Sequence, residues 1–493
     1  MIFTQSLQPI SKCQRTNIAV CVALTFSAFS LRPLPAQPAT DQSASDRLER
    51  LERAVQQLEK RNAELEQEVG NLKKRSPFAS ELGSESRPKA ASEGKAYLEK
   101  TTATEEKKPV YVLPGASEFK LTLGGFIQAQ FEGGDISAFE GRFATDAAKD
   151  RFRLRRARIN LSGDFAEQFD FKIEGDFEQS DTAVTVRDAT GKTIASNSTR
   201  TSFGATDIFI NWHQFPEFNI KLGQYKAPFG LEQITPDTKL FTIERSQPTS
   251  ALTPERQVGV ELWGKPLTNI LPSQKELVTY WAGIFNGNGR NISVNDNNEF
   301  MYVGRLEVLA LKAKLFNQDA SVKFGGDALS SRDEAGTNFA PVGNIAVNSD
   351  GSLSSFNAPS AAERKAYSLD ASLHLGPFDL IGEYLNERIR PRESTATAPA
   401  FAAFRADGYY VQGSYFIIPK TLQLVTKYES FNPGQVANDD VSSITGGVNY
   451  YVHGDDIKLL ADYIHTWSDF RDANPQFGES EFDEILVRLQ IIF

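Results

Sequence analysis

From about residue 119 to the end, apolar and polar side chains alternate with a period of two in one short segment after another, the period of a strand with one apolar and one polar face. The last segment shows it plainly. Asp483, Ile485, Val487, Leu489, Ile491 and Phe493 share one face, and Glu484, Leu486, Arg488, Gln490 and Ile492 share the other. The alternation predicts sixteen strands, at 119–131, 151–163, 168–179, 206–214, 217–225, 256–264, 276–285, 301–311, 320–329, 365–376, 377–388, 406–418, 421–431, 442–452, 455–468 and 481–493. Tight links at Phe215-Pro216, Gly376-Pro377, Pro419-Lys420 and Gly454 carry turn residues, and every second link is far longer. This rhythm predicts an all-β fold: a 16-stranded antiparallel transmembrane β-barrel, with both termini on the periplasmic side and the long loops outside.

The two faces have consistent chemistry. Phe169, Phe171, Ile173 and Phe177 read as outward, as do Tyr367, Leu369, Ala371, Leu373 and Leu375, and Ile457, Leu459, Ala461 and Tyr463. Inward from the same strands come Asp170, Lys172, Glu174, Asp176 and Glu178, then Ser368, Asp370, Ser372 and His374, then Lys458 and Asp462. Closing the sheet pairs every backbone donor and acceptor, which is why such strands survive in lipid. The terminal aromatic, Phe493, looks like the signal read by outer-membrane insertion machinery.

Upstream of the barrel the pattern changes three times. A polar leader with Lys12 and Arg15, an apolar run from Ile18 to Leu31 and small residues near Ala36 read as a signal peptide over 1–36, with cleavage after Ser30 or Ala39 as alternatives. The apolar run is short for a membrane anchor, and Val20 stands where a lipoprotein signal at Cys21 wants a small residue. After a short segment, 37–47, residues 48–75 place Leu48, Leu51, Val55, Leu58, Asn62, Leu65, Val69 and Leu72 at spacings of three and four, predicting a coiled coil over four heptads. In a parallel assembly Arg61 would meet Glu66, and Glu68 would meet Lys73, of a neighbouring chain, so the helix is expected to oligomerise in register; buried Asn62 leans toward two strands. Residues 76–118 are rich in Pro, Ser, Lys and Glu without periodicity and read as a flexible periplasmic linker, leaving 119–493 for the barrel.

Composition removes several function classes. Both cysteines, Cys13 and Cys21, lie in the leader, so an exported chain has neither disulfides nor thiolate chemistry. Loss of Lys12, Arg15 and Arg32 takes the formal charge from -10 to -13, which argues against a nucleic-acid partner. Of the remaining charges, 119–493 holds 36 basic and 48 acidic side chains. The four histidines, His213, His374, His453 and His465, have no metal-ligand spacing, and no serine is placed convincingly beside His465 for lipase-like catalysis. No metal, cofactor or enzymatic activity is expected.

Two constellations carry candidate function. The second strand crowds Arg151, Arg153, Arg155, Arg156 and Arg158 into eight residues. With Ala157, Ile159 and Leu161 toward lipid, Arg156, Arg158 and Asn160 would enter the lumen and Arg151, Arg153 and Arg155 would sit near the mouth. A file of guanidinium groups would offer anions successive shallow positions; equally, these arginines could pair with Glu174 and Asp176 and simply hold the wall. The second constellation is the connection of about thirty residues after the fifth strand, from Gly223 through Lys226, Pro228 and Phe229 to Glu244 and Arg245. Folded inward it would narrow the bore and place Lys226, Glu244 and Arg245 at the constriction; as an external loop it would do neither.

Gly223-Gln-Tyr-Lys-Ala-Pro-Phe-Gly230, Ile243-Glu-Arg-Ser246, Ile284-Phe-Asn-Gly287, Arg155-Arg-Ala-Arg-Ile159 and Phe169-Asp-Phe-Lys-Ile-Glu-Gly-Asp-Phe177 together resemble the phosphate-selective porin O/P family over roughly 119–493. The resemblance implies a 16-stranded trimeric barrel with an inward-folded loop and, in its best-known members, arginines and lysines that conduct phosphate. The expected protein is thus a passive outer-membrane porin embedded in outer-membrane lipid, a homotrimer passing small hydrophilic solutes or inorganic anions. Its anion preference would be set by Arg156, Arg158, Asn160, Lys172, Lys226 and Arg245, with Pro228, Phe229 and Glu244 in the constriction loop. The rival reading is an envelope tether or adhesin mounted on a plugged, non-conducting barrel.

Overall fold

The structure, a computed structural model, describes residues 119–135, 150–178, 203–292, 294–337, 358–392, 401–475 and 479–493, and the backbone alone of the short strands Tyr111–Val112, Ser180–Arg187, Thr193–Thr201, Ala346–Val347 and Leu353–Ser354. The expected signal peptide and coiled coil and nearly all of the linker lie outside these residues.

Sixteen strands among the described residues close into one antiparallel barrel. They are β1 (Lys120–Gly134), β2 (Arg151–Phe165), β3 (Phe169–Asp176), β4 (Gly204–Phe215), β5 (Phe218–Lys226), β6 (Arg256–Gly264), β7 (Val278–Phe285) and β8 (Met301–Leu315). The circuit continues through β9 (Gln318–Asp333), β10 (Ala362–Leu375), β11 (Phe378–Pro391), β12 (Phe404–Ile418), β13 (Leu422–Asn432), β14 (Val441–His453), β15 (Ile457–Ser468) and β16 (Glu481–Ile492). Each strand pairs with the next, and β16 returns to β1 with Phe126 opposite Ile492 and Gln130 opposite Arg488. Closure leaves no barrel strand with an unpaired edge.

The packing is inverted relative to a water-soluble domain. On β10, Leu369 is 59% exposed while Asp370 is 8% exposed, and on β16 Leu489 is 42% exposed while Arg488 is 1% exposed. Apolar side chains face out and ionic ones are covered, an arrangement stable only when the outer medium is lipid. No helix among the described residues is long and apolar enough to cross a membrane; the crossing is made by strands.

Tight hairpins join one end. The β2–β3 turn holds Ala166 and Glu167, and the β8–β9 turn Phe316 and Asn317, all at positive φ, the mirror-image turn geometry that matches strand twist. The link at 265–277 is the exception at this end, a longer segment containing a 3-10 turn at Pro272–Gln274. The other end carries the long connections. Strand lengths differ around the circuit: β3 and β7 have 8 residues each, whereas β9 has 16.

Candidate constriction site

On β2 the register slips once. Gln128 of β1 faces Arg156 and Ala129 faces Leu154, so Arg155 is an extra residue, a β-bulge. Without it, strict alternation would put Arg151 and Arg153 on the face opposite Arg156 and Arg158. With it, Phe152 and Leu154 are exposed on the outside, and all five arginines lie on the lumen side. Arg151 and Arg153 meet Glu132 at 2.7 and 3.1 Å, at the long-loop end of the file.

Opposite this file stands the connection between β5 and β6, which folds inward. Its root is apolar: Ala227 and Phe229 are buried in a cluster with Tyr225, Leu252, Phe285 and Met301. Phe229 therefore anchors the loop rather than lining the bore, and neighbouring Pro228 is buried as well. Gly230 turns the chain at φ 82, and a Cβ there would come within 2.7 Å of Thr253. Its N–H donates to Asp327 at 2.7 Å. The short helix α1 (Leu231–Ile234) follows, its first two N–H groups donating to the two oxygens of Glu383 at 2.8 and 3.1 Å. A second helix, α2 (Gln247–Leu252), is capped by Ser246, whose N–H and hydroxyl both donate to Glu232.

Between the helices the chain crosses the lumen and is held by the far wall. Lys427 of β13 donates to the Thr242 hydroxyl and the Glu244 carbonyl, each at 3.1 Å. Asn449 of β14 reaches the Phe241 carbonyl at 2.8 Å, Lys458 of β15 the Thr238 carbonyl at 2.9 Å, and Asp462 accepts from the Ile243 N–H at 2.6 Å. Arg488 of β16 binds the Ile243 carbonyl and the Glu244 carboxylate. Polar side chains from these four strands thus satisfy the backbone of a segment buried inside the barrel.

The crossing brings the expected cations together around a residue the sequence did not single out. Asp237 receives Arg158 at 2.6 Å and Arg156 at 3.3 Å on one carboxylate oxygen, and Arg245 at 2.7 Å and Lys226 at 3.8 Å on the other. Burial opposes its ionisation, but Arg156, Lys226, Arg245 and Arg158 hold its carboxyl well below the usual carboxylate range. Arg158 also bonds Asp176 at 2.8 Å and lies 3.7 Å from Glu174, so part of the wall pairing considered from sequence is present. Seven residues beyond Asp237, Glu244 takes both nitrogens of an Arg155 fork at 2.8 and 3.1 Å. Burial raises its pKa while Arg155, Arg488 and Arg156 carry it well below the ordinary range.

Two of the expected residues stand outside this cluster. Lys172 joins Glu174 and Asp207 at 2.8 and 3.1 Å, in a group shared with Arg256. Asn160 is half-buried on β2 in register with Gly124 and Glu174. Arg488 and Lys427 had a legible signal, since each alternates with apolar neighbours on a strand; Asp237, within a turn-rich loop, had none.

Across the lumen the charge reverses. Asp327, Asp370 and Glu383 are buried on β9, β10 and β11, where Arg305 bonds Asp327 and Asp370 at 2.8 Å each. Glu387 and Asp333 share Arg364, and Glu429 has Lys427 at 3.5 Å. A basic sector on β2, β16 and the loop therefore faces an acidic sector on β9 to β13.

Residues 123–493 match the family model described as phosphate-selective porin O and P. Solved structures of similar fold include an anion-selective porin from Comamonas acidovorans, 12% identical, covering 76% of this chain and 100% of that one with a TM-score of 0.46. The outer membrane channel DcaP of Acinetobacter baumannii is 13% identical over 77% of this chain and 99% of that one, with a TM-score of 0.47. OmpF of Salmonella typhi, in complex with daunomycin, is 14% identical over 76% and 98%, with a TM-score of 0.47. No curated protein sequence matches the chain.

Proposed function

The chain belongs to the phosphate-selective porin O and P family and is an outer-membrane porin, and from that premise we propose that it is an anion-preferring, passive channel whose selectivity is set where the inward loop meets the arginines of β2. The observation that carries this reading is the excess of cations at that junction. Arg156, Arg158, Lys226 and Arg245 converge on a single loop carboxylate, Asp237. Guanidinium forks match the oxygen geometry of phosphate and other oxyanions, and a series of partly neutralised forks binds each ion weakly enough to release it to the next.

Diffusion through such a channel needs no energy source and no chemical step. The loop narrows the bore and sieves by size, while the opposed basic and acidic sectors orient a hydrated solute across it. The proposed assembly is a homotrimer in the bacterial outer membrane, and the solutes are small hydrophilic molecules and inorganic anions, phosphate among them. The tether reading requires a barrel that does not conduct, and single-channel recording in planar bilayers separates the two.

Reversal potentials across a KCl gradient test the selectivity itself. Replacing Arg156 and Arg158 together by Ala should shift the reversal potential toward cations and weaken block by added phosphate. An unchanged potential would confine both arginines to bracing the wall.

A further inference from the structure

Among the described residues, the exterior of the barrel carries a row of like charges at odds with its apolar surroundings. In the antiparallel register Lys365 of β10 lies opposite Arg388 of β11, and Arg388 lies opposite Arg405 of β12. All three are exposed and alternate with buried inward neighbours, among them Ala366, Glu387 and Ala406, so they form one cross-strand row on the outer face. Like charges directly opposite on a sheet, with Cβ atoms about 5 Å apart, destabilise it unless an anion lies between them. The Arg388 side chain makes no hydrogen bond or ion pair with another described residue. Arg390, one step further out, adds a fourth cation. The carboxylates in the patch are Glu363, which meets Lys365 at 3.1 Å, and Asp407, which accepts from the Tyr384 hydroxyl at 3.2 Å. Arg405 itself donates to Tyr384 at 3.2 Å.

Height on the barrel identifies what the row faces. Two to four residues toward the membrane centre from the row, about 7 to 13 Å along the strands, lie outward-facing Tyr367, Tyr384 and Tyr409; Tyr367 and Tyr384 pack at 6.1 Å, and Tyr409 packs on Tyr428 at the same distance. Such an aromatic belt marks the boundary between hydrocarbon and headgroups. The row sits just beyond it, at the long-loop rim, and borders an open depression that Tyr367, Asn386 and Ala403 also line.

We propose that Lys365, Arg388 and Arg405 form a binding site on the barrel exterior for the phosphate-bearing headgroup of an outer-leaflet lipid. Charge complementarity and the position just above the tyrosine belt select a lipid over a soluble anion, and the site is independent of selectivity in the lumen. The headgroup phosphate takes the shared position between the three cations while the acyl chains lie over the tyrosines.

The test uses the full mature chain in phosphatidylcholine nanodiscs with added lipid A, either phosphorylated or dephosphorylated, and counts retained lipid by native mass spectrometry. The wild type should retain the phosphorylated form preferentially. Each basic residue near a membrane surface is worth about fivefold in binding, so the triple variant Lys365→Gln, Arg388→Gln, Arg405→Gln should lose about a hundredfold. Its single-channel conductance should equal that of the wild type, which shows that the barrel has folded. Equal retention of both lipids by the wild type, or equal binding by wild type and variant, would overturn the proposal. So would displacement of the lipid by millimolar inorganic phosphate, which would make the row a soluble-anion site, or a change in subunit number in the variant with lipid binding intact, which would make it a subunit contact.

Discussion

At the scale of single residues, Asp237 decides the electrostatics of the constriction. Four cations brought within 4 Å of one another's partner would repel strongly in a buried site, and one carboxylate holds them there. Asp237→Asn preserves the side-chain volume and removes the charge. Stability should fall by about 3–5 kcal/mol, the cost of leaving buried charges without their partner, measured as the unfolding midpoint in detergent. The reversal potential of the surviving channels should shift further toward anions, because the same change uncovers positive charge. A variant with unchanged selectivity would show that solutes do not pass this cluster. Legibility is uneven here: Arg156, Arg158, Lys226 and Arg245 were recognisable from charge, motif and strand phase, but the residue that unites them lies ten or more positions from each of these four except Arg245, and nothing local marks it.

At the scale of elements, the bulge on β2 and the inward loop do separate jobs. Arg155 adds one residue to the lumen side and thereby keeps Arg151 and Arg153 out of lipid. Deleting Arg155 would restore strict alternation and turn part of β2 over, moving arginines outward or Phe152 and Leu154 inward. A basic side chain on the lipid face costs roughly 2–4 kcal/mol at mid-membrane and less toward the interface. The deletion should therefore reduce the folded fraction in vesicles, read by the heat-modifiable gel shift, far more than the point change Arg155→Ala, which preserves the bulge. Equal folding of the two would mean that the register slip is not what orients the strand. The loop illustrates a different rule: its inward course rests on Asp327, Glu383, Lys427, Asp462 and Arg488, supplied by strands distant in the chain. Whether such a segment folds in or out is decided by groups its own sequence does not contain, which is why both courses remained open until those partners were in place.

At the scale of the whole molecule, every pairing that closes the barrel lies between Lys120 and Ile492. Removing residues 37–110 should therefore leave unit conductance and selectivity unchanged in planar bilayers. The proposed coiled coil would then act only on assembly, seen as a change in subunit number by native mass spectrometry. Altered unit conductance would instead give the N-terminal region a part in the pore.

The sequence by itself determined the number and order of the strands and, outside the bulged half of β2, their phase, and with these which side of the barrel meets lipid. That information is local, since a period of two in side-chain polarity is enough to specify two faces, and closure follows from the need to satisfy every strand edge in hydrocarbon. Tertiary structure alone decided where the long loop lies, that a bulge aligns five arginines on one face, and that four cations share Asp237. Each of those outcomes depends on contacts between segments far apart in the chain, and long-range electrostatic partners leave no periodic trace in either segment.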